Sequence, residues 1–423
     1  MKKFIFAAVA AAIVPFAAVA QPAQPEADYQ FTVVKENPIT PVKNQYRSST
    51  CWCFSTLGFL ESETIRIKNI KDTTLYPDFS EMFVVSHSYK DRAVKYVRTD
   101  GNINFAAGSE ADDVLHVIED YGLVPQSAMP GVQPLPIHGE LDATTKAYVQ
   151  AIVKNPNKTL STTWKKAFDA IVDTYLGEVP ETFEHNGKTY TPATFRDEMG
   201  IVPSDYVTLT SFTHHPFYKP FILELSDNWR WDSAYNLPLD EFMEVVYSAV
   251  EKGYTLAWGT DVSEKGFTRN GVGVLLDDMK SAAGSDQERW VGKTGENKAE
   301  AAAALPKEAS VTQESRQEGF DNKTTTDDHG MQIFGLAKDQ NGTNYFMIKN
   351  SWGTTSKYRG IWYCSDSFLR SKTIDVVVHT APCAEHTRRD YRSGKCLCHG
   401  EGSEECIGIH PGFRWRCTSD RSQ

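Results

Sequence analysis

The 423-residue sequence predicts a two-lobed α+β fold, helical in its first lobe and β-rich in its last, with a helical insertion between them. Three observations predict it. An apolar stretch without proline follows Cys51, helical apolar spacing recurs through the middle of the chain, and short β-branched or aromatic runs separated by turn signals fill residues 331–379. With 40% hydrophobic and 12% aromatic residues the chain has material for a substantial core. Of its eight cysteines only Cys51, Cys53 and Cys364 precede residue 380, so the body must fold by packing rather than by disulfides.

The elements follow in order. Lys2 and Lys3, an apolar run over 4–16 and Ala18-Val19-Ala20 read as a secretory signal cleaved after Ala20. The run is broken by Pro15 and is shorter than the roughly 20 apolar residues a membrane span needs. The expectation is a bacterial protein exported to the periplasm or beyond, with no membrane contact after cleavage. Residues 21–30 read as a linker and 31–44 as extended chain leading to Gln45. From Cys51 onward Trp52, Phe54, Leu57, Phe59, Leu60 and Ile65 predict a largely buried helix, and a second is predicted over Ala111–Tyr121, closed by Gly122. The helical insertion is expected at about 140–236, where Trp164, Phe168, Ile171 and Tyr175 share a face. After Pro238, residues Leu239, Phe242, Met243, Val246 and Ala249 share another.

Within that region His214 and His215 could ligate a metal. Chain neighbours point apart and no third ligand is evident, so they read as structural histidines. Residues 276–323 turn polar, with an Ala run at 299–304, and read as a surface excursion. Strands are predicted at 331–337, 345–349, 360–363 and 375–379, the first two joined at Asn341-Gly342. A net charge of −11 without a basic stripe excludes nucleic-acid binding as a working hypothesis.

Gln45 through Ser55 is a polar loop running into an apolar helix with Cys51 at the junction. A helix N-terminus, a neighbouring imidazolium and exclusion of water all lower a thiol pKa, so the placement suits a nucleophile. The segment Thr40-Pro41-Val42-Lys43-Asn44-Gln45, five residues, then Cys51-Trp52-Cys53-Phe54-Ser55 resembles the nucleophile segment of the papain superfamily. The resemblance implies a papain-like fold, Cys51 as nucleophile, and an oxyanion hole formed by the Gln45 side chain and the Cys51 backbone N–H. The upstream cysteine of papain and its disulfide are absent. Cys53 is a rival nucleophile in principle, and the Gln45 spacing and Trp52 favour Cys51.

The second motif is Thr325-Thr326-Asp327-Asp328-His329-Gly330-Met331, followed at 350 − 329 = 21 residues by Asn350-Ser351-Trp352-Gly353. In the same superfamily such a pair implies His329 as base, Asn350 as the residue orienting it, and Trp352 shielding their bond from water. The separation 329 − 51 = 278 exceeds the roughly 130–150 of papain, so inserted material is required. Such an insertion, together with Leu237-Pro238-Leu239-Asp240-Glu241-Phe242, Phe320-Asp321-Asn322 and the Asp-Asp-His run, resembles the bleomycin hydrolase/aminopeptidase C family over about residues 31–380. The resemblance implies a thiol-dependent aminopeptidase acting on peptides, with no cofactor and no metal. It also implies a homo-hexamer: that family lacks an inhibitory propeptide and shields its sites by assembling, and residues 21–50 fit no such propeptide here.

Members of that family hold their chain terminus in the cleft, where its carboxylate pairs with a substrate's α-amine. After His379 this sequence changes character, and 381–423 form a Cys- and Arg-rich tail. It reads as a small metal or disulfide module, as a disordered extension, or as out-of-frame sequence. A tail hanging outside the cleft predicts that N-blocked peptides are cleaved about as well as free ones. Competing functions are an endopeptidase and a catalytically silent papain-like binding protein.

Overall fold

The computed structural model describes residues 29–157, 159–276 and 305–382, and beyond them only four two-residue strands. The expected secretory signal, most of the linker, the Ala run at 299–304 and the side chains of the Cys-rich tail lie outside the described residues.

After strand β1 (Thr32–Glu36), the first lobe grows around α1 (Cys51–Ile67), which is buried from Trp52 to Ile65 except at Phe54. Against it pack α2 (Glu81–Arg98) and α3 (Ala111–Tyr121), and α4 (Gly139–Val153) and α5 (Thr163–Leu176) pack on α2, through a core that includes Leu57, Leu60, Phe83, Val114, Ile118 and Phe168. Gly122 closes α3 at φ +92°, where a side chain would meet the Pro192 backbone at 2.3 Å. In α5 the buried line is Phe168, Val172 and Leu176, with Trp164, Ile171 and Tyr175 only partly buried beside it. The buried face is thus turned slightly from the expected one.

A hairpin of β2 (Phe183–His185) and β3 (Lys188–Tyr190) leads to α6 (Pro192–Met199). The α-helices of the region 140–236 end there, followed only by a 3-10 turn at Pro203–Asp205. Residues 206–236 instead give β4 (Tyr206–Thr210), β5 (Pro220–Ile222) and β6 (Ser233–Asn236). The β-branched Val207, Thr208 and Thr210 and the helix-breaking Pro216 and Pro220 are the physical reason.

The second lobe adds α7 (Leu239–Glu251), β7 (Leu256–Thr260), β8 (Val272–Gly273), α8 (Gln313–Asp321), β9 (His329–Lys338), β10 (Asn344–Lys349), β11 (Ile361–Ser365), α9 (Asp366–Lys372) and β12 (Thr373–His379). One ten-stranded sheet runs in the order β5-β6-β4-β12-β7-β9-β10-β11-β8, with β1 also paired to β9. All five apolar residues expected on α7 are buried in the core it shares with the sheet. Asn341-Gly342 does turn β9 into β10, with Gly342 at φ +84° and the Asp339 carboxylate accepting from the N–H groups of Asn341 and Thr343 at 2.9 Å each. Helix α8 falls inside the stretch expected to be a surface excursion. Its inward face is polar, with buried Arg316 donating to the Ser211 and Arg370 carbonyls at 2.7 and 2.9 Å, so apolar spacing did not announce it.

The three described cysteines that precede residue 380 are all free. Among the described residues no helix is long and apolar enough to cross a membrane.

Candidate active site

Helix α1 begins at Cys51, and its first turn carries no acidic side chain to offset the positive end of the helix dipole. The loop before it holds two non-glycine residues at positive φ, Tyr46 at 47° and Ser49 at 55°. Such backbone strain concentrates at working sites. Cys51 is half-buried in the wall of a cavity of about 870 Å³. Cys53 is fully buried, its thiol meets the Glu81 carbonyl at 3.6 Å, and burial pushes its pKa well up. Of the two cysteines, only Cys51 lines the cavity.

His329 is the first residue of β9 and lines the same cavity. The strand and the helix approach closely because residue 330 is glycine: a Cβ there would lie 3.2 Å from the backbone N of Trp52 and 2.9 Å from Ser55 Oγ. The β9–β10 register, with Lys349 opposite Gln332, puts Asn350 at the His329 end of the pair. His329 Nε2 lies 2.8 Å from Asn350 Oδ1, which also accepts from the Ser351 N–H at 2.7 Å. The Trp352 ring stacks on the imidazole with centroids 4.5 Å apart and planes 26° apart, and covers this bond. Burial pushes the imidazole pKa down to about 4, with the Asn350 bond pulling the other way. Nδ1 is the nitrogen not bonded to Asn350.

Gln45 is tied to the same corner. Its N–H donates to the Ser351 carbonyl at 2.8 Å, the Gly353 N–H donates to the Lys43 carbonyl at 3.1 Å, and Ser351 Oγ donates to Gln45 Oε1 at 2.5 Å. With Oε1 so held, the amide Nε2 is left as a donor. Gln45, Cys51, His329 and Trp352 thus share one cavity, and Asn350 is buried behind them. All five residues singled out in the sequence come together.

Ser351 was visible only as part of a motif, and its role in orienting Gln45 emerges from the fold. Glu110, Asp227 and Asp375 also line the cavity, from three separate stretches of chain that no local motif connects. The reading of His214 and His215 needs correcting in its geometry. Both imidazoles turn to one carboxylate, with His214 Nε2 at 3.0 Å and His215 Nε2 at 2.9 Å from Glu224. A turn before Pro216, unlike a strand, lets neighbouring side chains converge, and Glu224 is the third group. These residues are not among those lining the cavity that holds Cys51.

Residues 2–281 and 304–396 match the model of the peptidase C1-like family. Aminopeptidase C of Lactobacillus delbrueckii subsp. lactis is 23% identical over 415 residues, covering 89% of this chain and 87% of the relative. Aminopeptidase G of the same organism is 22% identical over 381 residues, covering 81% and 82%. The crystal structure of PepW from Lactobacillus rhamnosis HN001 superposes with a TM-score of 0.62 at 18% identity, covering 84% of this chain and 83% of that one. That likeness supports the two-lobed papain-like α+β fold.

Proposed function

The chain belongs to the peptidase C1-like family, and we propose that it hydrolyses peptides as a thiol-dependent aminopeptidase worked by Cys51, His329 and Asn350. The observation that carries this reading is the His329–Asn350 bond, capped by Trp352, in the cavity that also holds Cys51. His329 Nδ1 takes the thiol proton, and the sulfur attacks the carbonyl carbon of the first peptide bond. The Cys51 N–H and Gln45 Nε2 then donate to the oxygen that becomes negative. The imidazolium gives its proton to the departing amine, leaving a thioester. Water, deprotonated by His329, attacks that thioester and releases the amino acid, restoring the thiol.

The Asn350 carboxamide holds the ring in the tautomer and orientation this sequence of transfers needs. Asn350→Ala is expected to lower kcat by one to two decades, about 1.4–2.7 kcal/mol of transition-state stabilisation at 1.36 kcal/mol per decade. Steady-state rates equal to the unmodified chain would remove the role.

The reading is tested by comparing a fluorogenic aminoacyl substrate with its N-acetylated counterpart, with and without a thiol alkylating agent. Turnover of the free substrate that alkylation abolishes is expected. Preference for the blocked substrate would make the chain an endopeptidase, and no turnover of any peptide would leave a silent papain-like scaffold. The same proposal includes export, supported by the Lys2-Lys3, apolar and Ala18-Val19-Ala20 pattern, and a homo-hexamer, supported by the family resemblance. N-terminal sequencing of secreted material and sedimentation of the purified chain test these two points.

A further inference from the structure

We propose that Glu110, Asp327 and Asp375 form the subsite that receives the substrate's free α-ammonium, so that side-chain carboxylates measure one residue from the peptide's N-terminus. The proposal rests on the aminopeptidase reading and assigns its end-recognition to residues of the cavity wall.

All three residues line the cavity of Cys51 and His329. Glu110 precedes α3 and is only 8% exposed; it hydrogen-bonds Asp327 and leaves Oε1, buried, without a hydrogen-bond partner among the described residues. Asp327 stands two residues before His329. Asp375 is 4% exposed on β12. Burial and the neighbouring carboxylates push both Glu110 and Asp375 well up. Asp227 adds a fourth acidic group, its carboxylate lying against Gly108, where a Cβ would be 2.0 Å from Oδ2. Two buried carboxyls, Glu110 and Asp375, crowded with the half-buried Asp327 and Asp227 and carrying an orphaned oxygen, are costly to ionise in isolation, and a cation with hydrogens to donate relieves that cost. An α-ammonium is such a group, with three N–H donors.

The sheet supplies the ruler. Gly259 lies opposite Asp375 in the β12–β7 pairing and opposite Gly330 in the β7–β9 pairing. The Asp375 carboxyl occupies the space over Gly259, where a Cβ would be 2.6 Å from Oδ1. Strands are spaced about 4.8 Å apart, so this carboxyl stands about one strand from Gly330 and hence from His329. An extended residue spans at most about 3.3–3.6 Å. A peptide whose first carbonyl sits at Cys51 therefore brings its α-ammonium to the acidic wall, and a longer or acetylated N-terminus meets that wall instead.

The cavity wall also carries cations. Arg269 and Lys357 line it from the loops that lead into β8 and β11, whereas β12 lies on the other side of β9 in the strand order.

The experiment measures kcat/KM of the full chain for an aminoacyl fluorogenic substrate and for its N-acetyl counterpart, in the unmodified protein and in Asp375→Asn and Glu110→Gln. The free-to-blocked ratio is expected to fall on the order of 10–100-fold in either variant, the scale of a charge-assisted hydrogen bond. An unchanged ratio, or equal losses on both substrates, overturns the subsite. Circular dichroism melts identify any variant that fails to fold. A second measurement does not depend on turnover: calorimetric titration of Cys51→Ala with an amino-acid amide and its N-acetyl form. Tighter binding of the free amide, abolished by adding Asp375→Asn or Glu110→Gln, supports the proposal, and equal binding of the two amides overturns it. If the unmodified chain turns over no peptide, the peptidase reading fails while the titration still decides the subsite.

Discussion

Replacing Cys51 by alanine is expected to reduce peptide hydrolysis to background while leaving the melting temperature close to that of the unmodified chain. The sulfur is the bond-forming atom in the proposed reaction, and among the described residues lining the cavity no other carries a thiol. Its contribution to packing is small because the side chain is half-buried at the cavity wall rather than enclosed in the core. Cys53→Ala should behave in the opposite way. That thiol is fully buried against the Glu81 carbonyl, so its loss should cost on the order of 1 kcal/mol of stability and leave most activity. Activity assays and thermal melts on both variants check the pair. A dead Cys53 variant beside an active Cys51 variant would reverse the assignment.

Lys43→Ala is expected to cost about 3–5 kcal/mol of folding stability. Its ammonium lies 2.7 Å from Glu81, 3.3 Å from Glu61 and 2.6 Å from Asp78, and donates to the Phe79 carbonyl at 3.1 Å. The Glu61 and Glu81 side chains are almost wholly buried, at 1% and 4% exposure, so removing the cation strands two carboxylates away from water. Thr40 donates to Glu61 as well, and Lys349 donates to Thr40 at 2.8 Å, so the network fastens β10 and the loop before Cys51 to α1 and α2. These ion pairs hold Lys43 well above the ordinary lysine range. Chemical denaturation measures the loss; a change under about 1 kcal/mol would show that Lys43 does not neutralise this buried cluster.

Much of this architecture is written in local patterns. Helix α1 and its buried face, the end of α3 at Gly122, the inward residues of α7 and the turn at Asn341-Gly342 each follow from apolar spacing or turn chemistry in a short window. What was not legible depends on polar interiors or on distance along the chain. Helix α2 buries Glu81 and Arg92 along with its apolar residues, and α8 buries Arg316, so neither shows a clean stripe. The strands β4 to β6 are short and add to the far edge of a sheet whose other members lie mostly beyond residue 250. In the site, Cys51, His329, Asn350, Gln45 and Trp352 were legible because two motifs carry them. The bulge in β9 was not: pairing passes from Met347 opposite Gly335 to Ile348 opposite Ile333, leaving Phe334 as the extra residue and setting Asn350 against His329. Nor was the acidic wall, because Glu110, Asp227 and Asp375 meet only when α3, the loop before β6 and β12 are folded together.

The most direct measurement of the central claim is mass spectrometry of the intact chain after exposure to a peptide-like thiol electrophile, followed by peptide mapping. Among the three cysteines before residue 380 an adduct is predicted on Cys51 alone, appearing as activity disappears and slowed strongly by His329→Ala, since that imidazole takes the thiol proton. Labelling of Cys53 or Cys364 in step with inactivation, or full activity in a chain whose Cys51 is quantitatively modified, would contradict it.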